Sequence, residues 1–142
     1  MAMTTKEELV QAFVNPQLNE VFKQKEPINL FLKGLVGSGI SLVTAAVFKE
    51  TRNPMLLVVN DREEGAYLFN DLENLIGENR VFFFPGSSRL PYQTERTDNA
   101  NVLQRAELLS RLSDTEKHVI VVTYPEALGE KVATRKQLKQ NT

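Results

Sequence analysis

A glycine-rich loop between an apolar run and a helical pattern is the feature that most constrains the fold of this chain. Residues 34–41 read Gly-Leu-Val-Gly-Ser-Gly-Ile-Ser, which has the spacing of the nucleotide-binding loop G-x-x-x-x-G-K-[ST] except at the lysine. The apolar residues 28–33 before the loop predict a buried strand, and residues 42–48 after it predict a mostly buried helix. This order of elements predicts an α/β domain of the P-loop type.

The loop lacks the side chain that would bind the terminal phosphates of a nucleotide. In a working loop a lysine contacts the β- and γ-phosphates and the next hydroxyl holds magnesium. Ile40 stands at the lysine position and can neither donate a hydrogen bond nor supply charge, whereas Ser41 keeps the hydroxyl. Lys33 lies at the far side of the turn and is not an obvious substitute. We therefore predict no bound cofactor in this degenerate loop, which comprises Gly34, Gly37, Ser38, Gly39, Ile40 and Ser41.

An acid that could hold magnesium is also missing from the ends of the predicted strands, with one exception. The apolar run 55–59 is followed by Asp61, but Asp61 and Glu64 have the spacing of a helix-capping pair. The sequence favours Asp61 as a helix N-cap. We therefore expect no catalytic residue and no metal site in this chain, and no ATPase activity.

The remaining chain alternates predicted strands and helices. Apolar runs at 55–59, 81–84 and 119–122 join the run at 28–33 to predict about four strands. Alternation of this kind predicts a three-layer fold with a mainly parallel sheet and helices on both faces. Around this sheet, the sequence predicts N-terminal helices in residues 1–27, the degenerate P-loop domain in residues 28–130, and a tail in residues 131–142 that leads to a following domain.

The composition argues against several classes of protein and of binding site. Seventeen Lys and Arg balance eighteen Asp and Glu, so the chain lacks the basic excess of a dedicated nucleic-acid binder. The absence of Cys excludes disulfides, and a single histidine, His118, argues against a zinc site. No signal peptide and no apolar run long enough for a membrane span are visible, which favours a cytoplasmic location and no membrane partner.

A dinucleotide-binding loop is the alternative interpretation of the glycines. Gly37 and Gly39, with Asp61 about twenty residues further on, faintly resemble the G-x-G-x-x-G fingerprint, but the third glycine is missing. The spacing from Gly34 to Gly39 fits the nucleotide loop better. An active nucleotide- or dinucleotide-binding enzyme domain therefore stays the competing function.

Several segments in a fixed order resemble one family of repair proteins. They are the glycine loop after its apolar run, Leu56-Leu57-Val58-Val59 with Asp61, Phe84-Pro85 with Leu90-Pro91-Tyr92, Arg105 in a leucine-rich helix, and Val119-Ile120-Val121-Val122 with Glu126-Ala127-Leu128. Together these resemble the N-terminal module of the bacterial transcription-repair coupling factor family (Mfd) and the first part of the excision-repair protein UvrB. The resemblance covers residues 29–128.

The resemblance implies a UvrB-like domain that has lost its nucleotide chemistry and serves as a scaffold. Parents of such modules are ATP-driven DNA translocases that displace stalled RNA polymerase and recruit the damage-recognition protein UvrA. UvrA, RNA polymerase and DNA would then be partners through the parent chain, with weak or no DNA binding by this segment itself. The resemblance therefore implies that the segment is not itself an enzyme, and that its parent would hydrolyse ATP.

A turn-rich stretch, residues 85–96, is the best remaining place for contacts, because loops on a rigid scaffold often carry them. It contains Arg89, Tyr92 and Arg96, for which we consider an interdomain or DNA-backbone role and a plain connection equally. Arg105 is a further interaction candidate, although an arginine on a helix is more often an ion-pair partner.

Overall fold

The structure, a computed structural model, describes residues 5–86, 95–113 and 118–130, with the backbone alone for residues 95–99. The described chain is an α/β arrangement with a small parallel sheet. Its elements in chain order are α1 (Lys6–Ala12), α2 (Pro16–Lys23), α3 (Gly39–Thr51), β1 (Met55–Val58), α4 (Arg62–Ile76), β2 (Val81–Phe83), α5 (Glu95–Ser113), β3 (Ile120–Thr123) and α6 (Pro125–Leu128).

The two N-terminal helices begin where local capping chemistry predicts. Thr5 and Glu8 form a reciprocal capping box at α1, and the side chain of Asn15 accepts backbone hydrogen bonds at the start of α2, with Pro16 in its first turn. Both helices contact α3, and Val10 of α1 is 3% exposed within the main core. Helix α1 therefore shares the main core with the α/β part, whereas α2 is shown only to contact α3.

The sheet has the strand order β1-β3-β2, and both pairs of neighbouring strands are parallel. The central strand, β3, is buried at every residue. Successive side chains of a strand point to opposite faces, so Ile120 and Val122 join one apolar cluster while Val119 and Val121 join the other. The sheet therefore separates two cores.

Helices α3 and α4 cover the first face of the sheet. Phe48 of α3 and Leu72 of α4 are fully buried there. Gly65 allows α4 to approach β2 closely, because a Cβ at this position would lie 2.9 Å from Cε2 of Phe83. On the second face, Leu108 of α5 and Ala127 of α6 pack with the strands.

The predicted strand at residues 28–33 is wrong, because the structure shows no regular element there. Within the described residues the sheet therefore has three strands, not about four. An apolar run becomes a strand only when a neighbouring strand pairs with its backbone, and no described strand does so. Phe31 of this segment is 81% exposed. Strand β1 is an edge strand of the described sheet, and its Leu56 and Val58, on the second face, are more than half exposed.

Candidate functional site

The glycine loop turns tightly into helix α3. Gly34 and Gly37 have φ angles of +82° and +53°, a region that side chains with a Cβ rarely adopt. The amide of Gly39 donates to the carbonyl oxygen of Val36 at 3.0 Å, and α3 begins at Gly39. Ser38 occupies the N-cap position without a side-chain capping bond. The loop thus keeps the glycine-dependent turn although no strand precedes it.

The hydroxyl of Ser41 is committed to a bond inside the protein. Ser41 is 2% exposed, and its Oγ donates to Oδ2 of Asp71 in α4 at 3.0 Å. Magnesium would bind a lone pair of this oxygen, which donation to Asp71 leaves in place, but at 2% exposure Ser41 is almost closed to solvent. The Ser41–Asp71 bond therefore joins α3 to α4, in a position where a nucleotide loop would use the hydroxyl for metal binding.

A pocket of about 350 Å³ opens between the glycine loop and α4. Ile40 lies on its wall and is 43% exposed. The other lining residues come from the loop, the end of β1 and one face of α4: Gly37, Ser38, Ser41, Val59, Glu64, Tyr67, Leu68 and Asp71. Among the described residues, the lining contains two carboxylates and no lysine or arginine, a charge pattern unfavourable for a triphosphate.

The acidic side chains near the loop have local partners. Oδ1 of Asp61 accepts from the amide of Glu64 at 2.9 Å, which confirms Asp61 as the N-cap of α4. Oε2 of Glu64 accepts from the backbone and side-chain nitrogens of Asn60 at 3.0 and 2.8 Å. Asp61 is therefore used to start a helix. Across the ranges that the structure describes, no group of three or more His, Asp or Glu side chains could hold a metal ion.

Arg105 lies in a separate, closed site on the second face of the sheet. Its Nη1 donates to the carbonyl oxygens of Pro85 and Ala127 at 2.7 and 3.2 Å and lies 3.6 Å from Oε2 of Glu130. Its guanidinium carbon is 4.2 Å from the ring centroid of Phe84. The side chain is 7% exposed, so it ties α5 to the ends of β2 and α6.

The other interaction candidates are not tested by the structure. Arg89 and Tyr92 lie outside the described residues, and Arg96 belongs to α5 at a position where the backbone alone is described. The structure does not bring Arg105 to an open surface.

Sequence reasoning missed Asp71, Glu64 and Tyr67 as wall residues of the loop pocket. Glu64, Tyr67 and Asp71 lie at positions i, i+3 and i+7 of α4, so they share one face of that helix. This spacing was available in the sequence. The approach of that face to a loop about thirty residues earlier was not, because it depends on how α3 and α4 pack.

Comparisons with known proteins give weak similarity to two repair proteins. The chain is 26% identical over 90 residues to the transcription-repair-coupling factor of Bacillus subtilis (strain 168), which covers 63% of this chain and 8% of that protein. It is 27% identical over 85 residues to the Rickettsia bellii protein of the same name, covering 59% of this chain and 8% of the relative. The UvrABC system protein B of Methanosarcina mazei is 32% identical over 68 residues, or 48% of this chain and 10% of that protein.

The chain spans a tenth or less of the length of these relatives. No protein-family model and no solved structure matches it. None of the helices in the described ranges combines the length and apolar character needed to cross a bilayer. The similarity confirms that the chain resembles transcription-repair-coupling factor and UvrB, as the order of its sequence motifs predicts.

Proposed function

We propose that this chain is a non-catalytic interaction module of a DNA-repair protein of the transcription-repair coupling type. The observation that carries the proposal is the altered phosphate loop: Ile40 stands at the lysine position, and the hydroxyl of Ser41 is bonded to Asp71. The cation that would contact the β- and γ-phosphates is therefore absent, and the proton of the serine hydroxyl is donated to a carboxylate of the next helix. The names of the relatives support a role in DNA repair.

The proposed architecture is a P-loop type of three-layer domain whose loop has lost its chemistry. The parallel order β1-β3-β2, with apolar cores on both faces, supports this assignment. Helix α3 follows the glycine loop, as a helix does after a phosphate loop. In such a domain the sheet would act as a rigid support for contacts with other proteins.

The proposed partners are those of a coupling factor. The rest of a parent chain would supply the ATP-driven translocation on DNA and the contact with RNA polymerase, and the module would contribute to recruiting UvrA. DNA contact by this segment would be weak or absent, because its charge is nearly balanced.

Nucleotide binding by the purified chain tests this proposal. We expect no saturable heat on titration with ATP and magnesium in a calorimeter, and no phosphate release in a malachite-green assay. Gly39→Asp provides the matched control, because it places a carboxylate in the loop that would repel a phosphate. ATP or NADH binding by the unchanged chain that Gly39→Asp abolishes would establish the competing enzyme function.

A further inference from the structure

One face of α4 combines negative charge with an exposed aromatic ring beside the glycine loop. Glu64 and Asp71 are seven residues apart, which places them about 10 Å from each other along the helix. Tyr67 lies between them and is 69% exposed. All three line the pocket of about 350 Å³, together with Ile40. This face therefore offers two charges and an apolar surface in one concavity.

Each carboxylate is held in place by one oxygen. Oδ2 of Asp71 accepts from Ser41, and Oε2 of Glu64 accepts from Asn60. Among the described residues, Oδ1 of Asp71 and Oε1 of Glu64 accept no hydrogen bond and make no ion pair within 4.0 Å. The two groups are thus held by the protein, and each still has an oxygen that can accept a hydrogen bond.

The apolar part of the pocket suits the stem and the head of an arginine. Ile40 and Tyr67 are both exposed, and Val59 and Leu68 lie on the same wall. The methylene stem of an arginine packs on aliphatic surface, and its planar guanidinium stacks on an aromatic face and pairs with carboxylates. Lysine satisfies the charge but not the stacking geometry. Arginine therefore uses more of this pocket than lysine does.

The N-terminus of α3 borders the pocket, and its partial positive charge opposes the effect of the two carboxylates. A helix N-terminus carries roughly half a positive charge, which favours an anion. Two full carboxylate charges exceed that contribution, and among the described lining residues no cation adds to it. The net preference is therefore for a cation, which is the reverse of the preference of a nucleotide loop.

We propose that this pocket receives an arginine side chain from a basic segment of a protein partner. The inference rests on the proposed function as an interaction module and names the chemistry of its partner. The exposed apolar side chains supply contact area, and the carboxylates select the charge. A nucleic-acid partner is disfavoured because its phosphates would meet the same carboxylates.

Fluorescence anisotropy of the full 142-residue chain with short labelled peptides tests the proposal. The probes are a peptide of alternating arginine and alanine, the same peptide with lysine, the same peptide with glutamate, and a single-stranded DNA oligonucleotide. We expect the arginine peptide to bind most tightly, the lysine peptide more weakly, and the glutamate peptide and DNA not at all. Amide shifts in NMR spectra should centre on Ile40, Tyr67 and Asp71.

Three charge-neutralising variants on α4 separate a pocket from a general attraction. Asp71→Asn and Glu64→Gln keep the oxygens that accept from Ser41 and Asn60, so circular dichroism should show an unchanged fold. Each should weaken the arginine peptide about fivefold. Glu73→Gln removes the same charge from the same helix outside the loop pocket and should change binding less than twofold.

Equal weakening by all three variants, tighter binding of DNA, or no peptide binding would overturn the pocket assignment. The proposed function would survive these results as long as the chain also fails to bind ATP. Saturable binding of ATP in the loop would instead overturn both.

Discussion

Among the polar contacts that join helices to other described elements, those of Arg105 and of Ser41 differ in their access to solvent. The guanidinium of Arg105 is enclosed by two carbonyl groups, a carboxylate and the ring of Phe84. The Ser41–Asp71 bond lies at the wall of an open pocket, and Ile40 and Tyr67, which also line this pocket, are exposed. Both sites hold a helix against neighbouring elements of the fold. Only the Ser41–Asp71 site leaves polar and apolar groups accessible to another molecule.

Access to solvent distinguishes a structural role from an interaction role more clearly than residue type does. Arginine is a common contact residue at protein interfaces, yet Arg105 has its hydrogen-bonding groups directed inward. Serine in a phosphate loop suggests nucleotide chemistry, yet Ser41 is buried against a helix. The surroundings of each side chain decide its role in both cases.

Removing the closed site should have the largest effect on stability. Arg105→Ala leaves the carboxylate of Glu130 and two carbonyl oxygens with fewer partners, and it removes the packing against Phe84. We expect the free energy of unfolding to fall by about 3 kcal/mol in urea titrations.

Arg111→Ala is the matched control for this loss, because it lies on the same helix. Arg111 pairs with Glu107 at 2.7 Å, but the two side chains are 47% and 64% exposed. Its removal should cost less than about 1 kcal/mol. Similar losses for the two variants would show that Arg105 is not the anchor we describe.

The Ser41–Asp71 bond at the open pocket should contribute less to stability than Arg105 does. Ser41→Ala removes the donor to Asp71, and Asp71→Ala removes the acceptor. We expect each variant to lower the free energy of unfolding by about 1 kcal/mol. In a double-mutant cycle the combined loss should be smaller than the sum, because both variants remove the same bond. Strictly additive losses would mean that the Ser41–Asp71 bond does not contribute to stability.

Local features of the fold follow from the sequence, whereas pairing partners do not. Asp61 caps α4 as its spacing with Glu64 predicts, and Thr5 and Asn15 cap α1 and α2 through residues at most three positions away. The parallel sheet also follows from alternating strands and helices. The apolar run at 28–33 has the composition of a strand, but composition does not specify a neighbour to pair with, and the run remains outside the sheet.

The candidate site was predictable in part for the same reason. Loss of the lysine at Ile40 is visible in the sequence and directs attention to the loop that borders the pocket of about 350 Å³. The Ser41–Asp71 bond spans 30 positions, and the contacts of Arg105 with Pro85 and Ala127 span 20 and 22. Such contacts depend on helix packing, which a single sequence does not specify.

Placing a lysine at position 40 should have the smallest effect on stability. It also tests whether Ile40 or the carboxylates of the open pocket exclude a nucleotide. Ile40 is 43% exposed, so Ile40→Lys should change the free energy of unfolding by less than about 0.5 kcal/mol. The new ammonium group would lie beside Asp71 and Glu64, so their charges would compete with a phosphate for it. We therefore expect calorimetry to detect no binding of ATP with magnesium to this variant. Micromolar ATP binding would show that the isoleucine alone had closed the loop to nucleotides, and that the carboxylates of the pocket do not determine which charge it accepts.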